Sequence, residues 1–135
     1  MTAAIHETYL ENQVLSSSPL ELVGLMLGAA SRNISRGAAA LQRHDAVGHA
    51  VAIGKASKII CELSLALDHE KGKGVSQNLW RLYDYLMAIF TDNCASKDME
   101  KLQIAANLTA FLADTFLQAG RSMQRGEIGL VDQHL

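Results

Sequence analysis

The spacing of apolar residues along the chain predicts four helices. Apolar side chains recur at alternating steps of three and four, which places them on one face of an α-helix. No stretch alternates apolar and polar residues at the period of two that a half-buried strand requires. The predicted helices span about residues 19–42, 45–69, 75–94 and 98–119. Their predicted core stripes, in helix order, are Val23, Leu27, Ala30, Ile34 and Leu41, then Ile53, Ala56, Ile60, Leu63 and Leu67, then Leu79, Leu82, Leu86 and Ile89, and finally Leu102, Ala105, Leu112 and Phe116.

The links between these helices are short, with connections at residues 43–44, 70–74 and 95–97. Short links between helices of similar length force antiparallel neighbours, so the fold class is all-α, an antiparallel up-down-up-down four-helix bundle. We assign the bundle to residues 18–120. Residues 1–17 are an N-terminal arm, and residues 121–135 are expected to be a flexible C-terminal tail.

The start of the first helix is marked by Ser18, Pro19 and Glu21. A serine N-cap, a proline at the first helical position and a glutamate three residues after the cap form a capping box. Further along this helix Gly24 and Gly28 are one turn apart, which predicts close approach by another helix. That helix is either a neighbour in the bundle or a bound segment from outside.

The fourth predicted helix is more apolar than a bundle requires. Its polar side chains lie in one narrow wedge, and Ile104 and Phe111 project well away from the centre of its core stripe. A bundle helix needs an apolar arc of a little over about 100°. Either this helix is central and mostly buried, or it has a second apolar face that receives a partner helix.

The third predicted helix contains three of the seven aromatic residues within six positions. Trp80 and Met87 project together, about a quarter-turn from the core stripe that contains Leu79, Leu82 and Leu86. A Met and an aromatic residue at this spacing either belong to the core or line an adaptable groove for an amphipathic helix.

Composition and charge narrow the class of protein. The chain has 135 residues and a net charge of −2, which suits one domain. Its twelve basic residues are scattered and most neighbour an acid, so we expect neither a nucleic-acid partner nor an anionic membrane surface. No signal peptide and no apolar run long enough to span a bilayer is evident, so we predict a cytoplasmic protein without membrane insertion. Cys61 and Cys94 are expected to be buried or half-buried thiols in a reducing compartment.

The residues needed for catalysis or metal binding are missing from the sequence. None of the seven Glu residues has a His three positions later, as a di-iron or di-manganese bundle would. His44 and His49 are spaced poorly for chelation and are expected to be solvent-exposed. No phosphate-binding glycine loop or nucleophile elbow occurs. We therefore expect no metal, no cofactor and no enzymatic activity.

Short motifs follow one another in order along the chain: Tyr9, Asn12, Val14-Leu15-Ser16, Ser18-Pro19, Glu21-Leu22-Val23, Ala56, Ile59-Ile60, Leu63, Leu67-Asp68, the nine residues 78–86, Lys97-Asp98 and Asp114-Thr115. With these motifs, the sequence resembles the FliS family of flagellin-specific export chaperones. The resemblance spans roughly residues 9–118 and is strongest over residues 78–86. The chain departs from the family pattern at Leu27-Gly28-Ala29 and at Phe116, where a Trp is usual.

The resemblance implies a cytosolic helical bundle that binds the disordered C-terminal segment of flagellin and prevents its premature polymerisation. It also implies delivery to a component of the flagellar type III export gate and, in some members, binding of an anti-sigma factor. In the family the arm tyrosine is associated with the flagellin-binding groove, and by position that residue is Tyr9.

From these patterns we predict the partner-binding residues. Coupled folding of a disordered segment requires a long apolar track, and the arm could cover part of that track when no client is bound. The alternative is a helical structural module whose surplus apolar faces form a homodimer. The predicted binding residues are Tyr9, Leu10, Trp80, Met87, Ile104, Leu108 and Phe111.

Overall fold

The computed structural model describes residues 18–124, with the backbone alone described at residues 69–73 and 124. These residues form four α-helices joined by short turns, which confirms the predicted all-α fold. The helices are α1 (Pro19–Gln42), α2 (Ala46–Leu65), α3 (His69–Ser96) and α4 (Met99–Gln124). Within residues 18–124, no helix has both the length and the hydropathy that crossing a membrane requires.

The four helices form a ring in which each packs against two others. Helix α1 packs against α2 and α4, and α3 closes the ring by packing against α2 and α4. The contact between α1 and α4 is the most extensive, and the contact between α3 and α4 is the least extensive. The bundle is therefore asymmetric, with α1 packed tightly and α3 packed sparsely.

The predicted apolar stripes meet in the centre of this ring. Burial of apolar surface is the main force that holds such helices together. Leu41, Leu82 and Phe116 are only half-buried. The other stripe residues are buried: Val23, Leu27, Ala30, Ile34, Ile53, Ala56, Ile60, Leu63, Leu67, Leu79, Leu86, Ile89, Leu102, Ala105 and Leu112.

The predicted cap at the start of α1 is present. The Ser18 hydroxyl accepts a hydrogen bond from the Glu21 backbone N–H at 3.2 Å, and Pro19 occupies the first turn. The same hydroxyl donates to Glu21 Oε1 at 3.4 Å. A side-chain acceptor at this position satisfies one of the four backbone donors that a helix start leaves unpaired.

The connection predicted at residues 70–74 is wrong, because these residues are helical. Helix α2 ends at Leu65 and α3 begins at His69, so the turn lies at residues 66–68. Leu67 is buried within this turn. The Ser76 hydroxyl donates to the Asp68 carbonyl oxygen at 2.8 Å. The burial of Leu67 and the hydrogen bond from Ser76 to Asp68 place the turn at residues 66–68, which is earlier than the glycines at positions 72 and 74 suggested.

Helix α4 continues to Gln124, past the predicted bundle boundary at residue 120. Gly120 is buried against the first turn of α1. A Cβ atom added at Gly120 would lie 2.9 Å from both the Glu21 nitrogen and the Ser18 hydroxyl oxygen. Contact with the capped start of α1 therefore holds this turn of α4 in place.

His49 is buried, so the prediction of a solvent-exposed histidine is wrong at this position. Its Nε2 lies 3.0 Å from Asn93 Oδ1, and Asn93 Nδ2 donates to the Asp98 carbonyl oxygen at 3.0 Å. A carbonyl oxygen only accepts, so this bond fixes the Asn93 amide orientation and makes His49 Nε2 the donor. His49 of α2 is thus bonded to Asn93 of α3, and Asn93 is bonded in turn to Asp98 in the α3–α4 turn.

We predict that Asn93→Ala lowers the free energy of unfolding by about 2–3 kcal/mol, because it leaves the buried His49 donor without its acceptor. The measurement is urea denaturation. Asn107→Ala is the matched control, since Asn107 is exposed and accepts a hydrogen bond only from Gln103 Nε2. Its expected effect is below about 0.5 kcal/mol. Equal losses in the two variants would show that the buried pair does not stabilise the bundle.

The burial of Tyr83 makes the stability of the bundle depend on pH in a predictable direction. Burial raises the pKa of its phenol above the ordinary value near 10. Above that pH the unfolded chain releases the Tyr83 proton and the folded chain keeps it. The free energy of unfolding therefore falls with rising pH, by up to about 1.4 kcal/mol per pH unit from this group. Denaturation between pH 9 and 11.5 should show a shallower fall for Tyr83→Phe, whereas the exposed Tyr85→Phe should follow the wild type.

Candidate partner-binding surface

The outer face of α4 exposes large apolar side chains to solvent. Phe111 is 68% exposed and Ile104 is 44% exposed, while Leu108 between them is half-buried. Large apolar side chains at this exposure mark a surface that another chain can cover. The surplus apolar residues of α4 therefore face solvent, and α4 is not a central buried helix.

The opposite flank of α4 faces α1 and is closed. The Ser31 hydroxyl donates to the Ala106 carbonyl oxygen at 2.9 Å. A Cβ atom at Gly24 would lie 2.8 Å from Leu117 Cγ and 2.9 Å from the Ala113 carbonyl oxygen. The close approach predicted for Gly24 is thus made by a neighbouring helix within the bundle.

Gly28 differs from Gly24, because no described residue of another helix lies within 4 Å of a Cβ atom placed there. Of the described residues, such an atom would meet only Arg32 of the same helix, at 3.4 Å from Nη1.

Helices α3 and α4 make the least extensive contact of the ring, which leaves a groove between one flank of α3 and the outer face of α4. Leu82 is half-buried and Tyr85 is 46% exposed, and helical spacing places both on the flank of α3 that faces α4. The chain reverses at residues 97–98, so Tyr85 is level with the segment of α4 between Leu108 and Phe111. We define the α3/α4 groove by Leu82, Tyr85, Ile104, Leu108 and Phe111.

A second groove lies on the other flank of α3. It contains a cavity of about 450 Å³ between α2 and α3. Helical spacing places Met87 and Trp80 on the same flank as Thr91 and Cys94, and Trp80 is 47% exposed. We define the α2/α3 groove by Trp80, Met87 and the cavity-lining residues Ala46, His49, Ala50, Ile53, Gly54, Ser57, Phe90, Thr91, Cys94 and Lys97.

The sequence-predicted binding residues therefore fall into two separate groups. Ile104, Leu108 and Phe111 lie together in the α3/α4 groove, whereas Trp80 and Met87 lie in the α2/α3 groove. Helix α3, about 10 Å across, separates the two groups. Tyr9 and Leu10 lie outside the described residues.

The sequence-predicted set lacked Leu82 and Tyr85 of the α3/α4 groove and all the cavity-lining residues of the α2/α3 groove, Cys94 among them. Leu82 was assigned to the core, although it is half-buried at the edge of the α3/α4 groove. The step of three from Leu82 to Tyr85 could have indicated the second flank of α3. Cys94 was expected to be buried or half-buried, and it is exposed in the α2/α3 groove. Its position near the end of α3 explains this, because only the short α3–α4 turn follows it.

The exposed side chains of these grooves include Trp80 and Tyr85, which are residue types enriched where proteins bind other chains. The lining of the α2/α3 cavity is mixed, with His49, Ser57, Thr91 and Lys97 beside its apolar residues. Among the side chains that the structure describes, no group of three His, Cys, Asp or Glu residues could hold a metal ion.

Comparison with known proteins places this chain among flagellar proteins. The family described as "Flagellar protein FliS" matches residues 1–123. The flagellar secretion chaperone FliS of Salmonella typhimurium is 28% identical over 116 residues, which cover 85% of this chain and 86% of the relative. The flagellar secretion chaperone FliSB of Pseudomonas aeruginosa is 32% identical over 93 residues, covering 69% and 74%. The FliS chaperone of Vibrio cholerae is 27% identical over 99 residues, covering 73% of each chain.

The exposure of the two cysteines gives a direct prediction. Cys61 and Cys94 are both free and exposed, so both thiols should react with a thiol reagent such as Ellman's reagent without denaturant. The folded wild type should release two equivalents of chromophore, and Cys94→Ser should release one. A folded wild type that reacts only after denaturant is added would contradict the exposed position of these side chains.

Proposed function

This chain belongs to the FliS family of flagellar secretion chaperones, and we propose that it binds the disordered C-terminal segment of flagellin. Binding takes place in the cytosol and keeps flagellin from polymerising before export. The chaperone then delivers its client to a component of the flagellar type III export gate. The anti-sigma factor that some family members bind is a further partner under the same proposal.

The observation that carries the proposal is the α3/α4 groove. A bundle that buries its predicted core still leaves Ile104 and Phe111 exposed beside Tyr85. In water this exposure is unfavourable, and a bound apolar segment relieves it. A chaperone for an unfolded segment needs such a surface, because it must offer apolar contacts in place of those that the client lacks.

The energetics favour a client that uses both grooves. Ordering a disordered segment costs on the order of 2–5 kcal/mol of the gross interaction. A stable complex therefore buries roughly 1,000 Å² or more of total surface. The α3/α4 groove alone supplies only a small part of that area. We propose that the client contacts Ile104, Leu108 and Phe111 in the α3/α4 groove and crosses α3 to reach Trp80 and Met87.

The N-terminal arm has a place in the same proposal. Its apolar residues Tyr9 and Leu10 are candidates to contact the client, or to cover part of the track when the client is absent. Residues 1–17 and 121–135 are proposed to serve as an arm and a tail around the bundle.

The test is isothermal titration calorimetry with a synthetic flagellin C-terminal peptide. We expect binding to the wild type and at least a tenfold weaker Kd for Ile104→Asp and for Phe111→Asp, since each places a charge against an apolar segment. Trp80→Ala should also weaken binding if the client spans both grooves. The matched control is Leu65→Asp, because Leu65 is 81% exposed on the outward face of α2. Circular dichroism establishes that each variant is folded.

No binding of the peptide to the wild type, or equal peptide affinities for Phe111→Asp and Leu65→Asp, would refute the proposed groove.

The exposed grooves also fit a second candidate function, a structural module that forms a homodimer. Sedimentation velocity separates the two. A monomer that becomes a one-to-one complex with the peptide supports the chaperone, and a dimer that persists on dilution supports the module.

A further inference from the structure

A third groove lies between α1 and α2, on the side of the bundle opposite the α3/α4 groove. It contains a cavity of about 470 Å³. In a ring of four helices, the faces between α1 and α2 and between α3 and α4 point in opposite directions. We define the α1/α2 groove by its lining residues Asn33, Arg36, Ala39, Arg43, Asp45, Val47, Gly48, Val51, Ala52 and Lys55.

The apolar part of the α1/α2 groove is a ridge beside small residues. Val47 is 75% exposed and Val51 is 52% exposed, and at a spacing of four they share one face of α2. Ala39, Gly48 and Ala52 lie next to them, and their small side chains leave room for close approach by a helix. Neither valine contributes to the core, so the ridge is available to another chain.

The charged lining of the groove is mainly basic, because Arg36, Arg43 and Lys55 line it together with one carboxylate, Asp45. The segment of residues 32–58 contains five of the twelve basic residues of the chain and no carboxylate besides Asp45. The other two basic residues of this segment, Arg32 and Lys58, are not among the lining residues of the groove.

The one carboxylate of this segment is already engaged. Asp45 caps α2 by accepting a hydrogen bond from the Gly48 N–H at 2.9 Å, and its other oxygen lies 3.5 Å from the Arg43 guanidinium. No carboxylate among the described residues lies within 4.0 Å of Arg36 or Lys55. Within the described part of the chain, two cations therefore flank the valine ridge without a carboxylate partner.

We infer that the α1/α2 groove binds an acidic amphipathic helix of a partner protein. The valine ridge would receive the apolar stripe of that helix, and Arg36 and Lys55 would face its carboxylates. A nucleic acid would leave the exposed valines uncovered. A membrane would require a broad apolar face, which a ridge of two valines does not provide. Because this groove lies opposite the α3/α4 groove, the acidic helix and the flagellin segment can bind at the same time.

The experiment uses the full chain and a fluorescein-labelled peptide of 18 residues. Its leucines stand at helical spacing and its remaining positions are mainly glutamate. Fluorescence anisotropy should show saturable binding that weakens as salt is raised from 50 to 300 mM. Arg36→Glu combined with Lys55→Glu should weaken the Kd at least tenfold, and Val51→Asp should weaken it similarly. Arg81→Glu is the matched control, because Arg81 is exposed on α3 away from this groove.

Three results would overturn the inference. The first is an acidic peptide whose affinity does not change in the charge-reversed variant. The second is equal affinity for a scrambled peptide of the same composition, which lacks the apolar stripe. The third is preferential binding of phosphatidylserine vesicles or of an RNA oligonucleotide by the same residues.

The two proposals fail independently. The charge-reversed variant should bind the flagellin peptide with wild-type affinity, and Phe111→Asp should bind the acidic peptide with wild-type affinity. Competition between the two peptides for the wild type would refute separate sites. An absence of flagellin binding alone would refute the proposed client and leave the acidic-helix site standing.

Discussion

The close contact between α1 and α4 is the constraint on which the rest of this bundle depends. At Gly24 the two helices approach so closely that a single added carbon would collide with Leu117. The Ser31 hydroxyl reaches the α4 backbone at 2.9 Å, and Gly120 of α4 rests on the capped start of α1. Small residues allow this approach, because a helix presents its backbone closely only where side chains are short. With α1 also packed along α2, three of the four helices are firmly joined.

Helix α3 packs less closely against its neighbours than α1 does, and its sparse packing leaves the candidate grooves open. It buries Tyr83, Leu86 and Phe90 but is held less closely on both sides. On its exposed flanks, Trp80 lies toward α2 and Tyr85 lies toward α4. The buried bond between His49 and Asn93 fixes one end of α3 by a directional polar contact. Open apolar flanks and a fixed end are the features on which the proposed client binding rests.

Much of the fold could be predicted because its signals are local. The Ser18 cap and the periodic apolar stripes predict the helices, and all the stripe residues except Leu41, Leu82 and Phe116 are buried. The predictions from sequence were wrong where a contact with a residue far away along the chain determines the local structure. The glycines near residue 72 indicate a loop, yet the bond from Ser76 to the Asp68 carbonyl oxygen places the turn earlier. His49 resembles a surface residue in sequence, and only Asn93, 44 positions away, makes its burial possible.

Spacing and motifs along the chain were enough to predict the helical class, the core stripes, the apolar surplus of α3 and α4 and the resemblance to the flagellar chaperones. The first three follow from spacing along one helix, which depends on its own turn of 3.6 residues, and the resemblance follows from the order of the matching motifs. Where the apolar surplus lies depends instead on tertiary packing. Trp80 and Phe111 belong to grooves on opposite sides of α3, and Arg36, Arg43 and Lys55 line the groove that contains the valine ridge. Which flank faces which neighbour depends on how the helices are arranged around each other, and a spacing pattern within one helix does not contain that information.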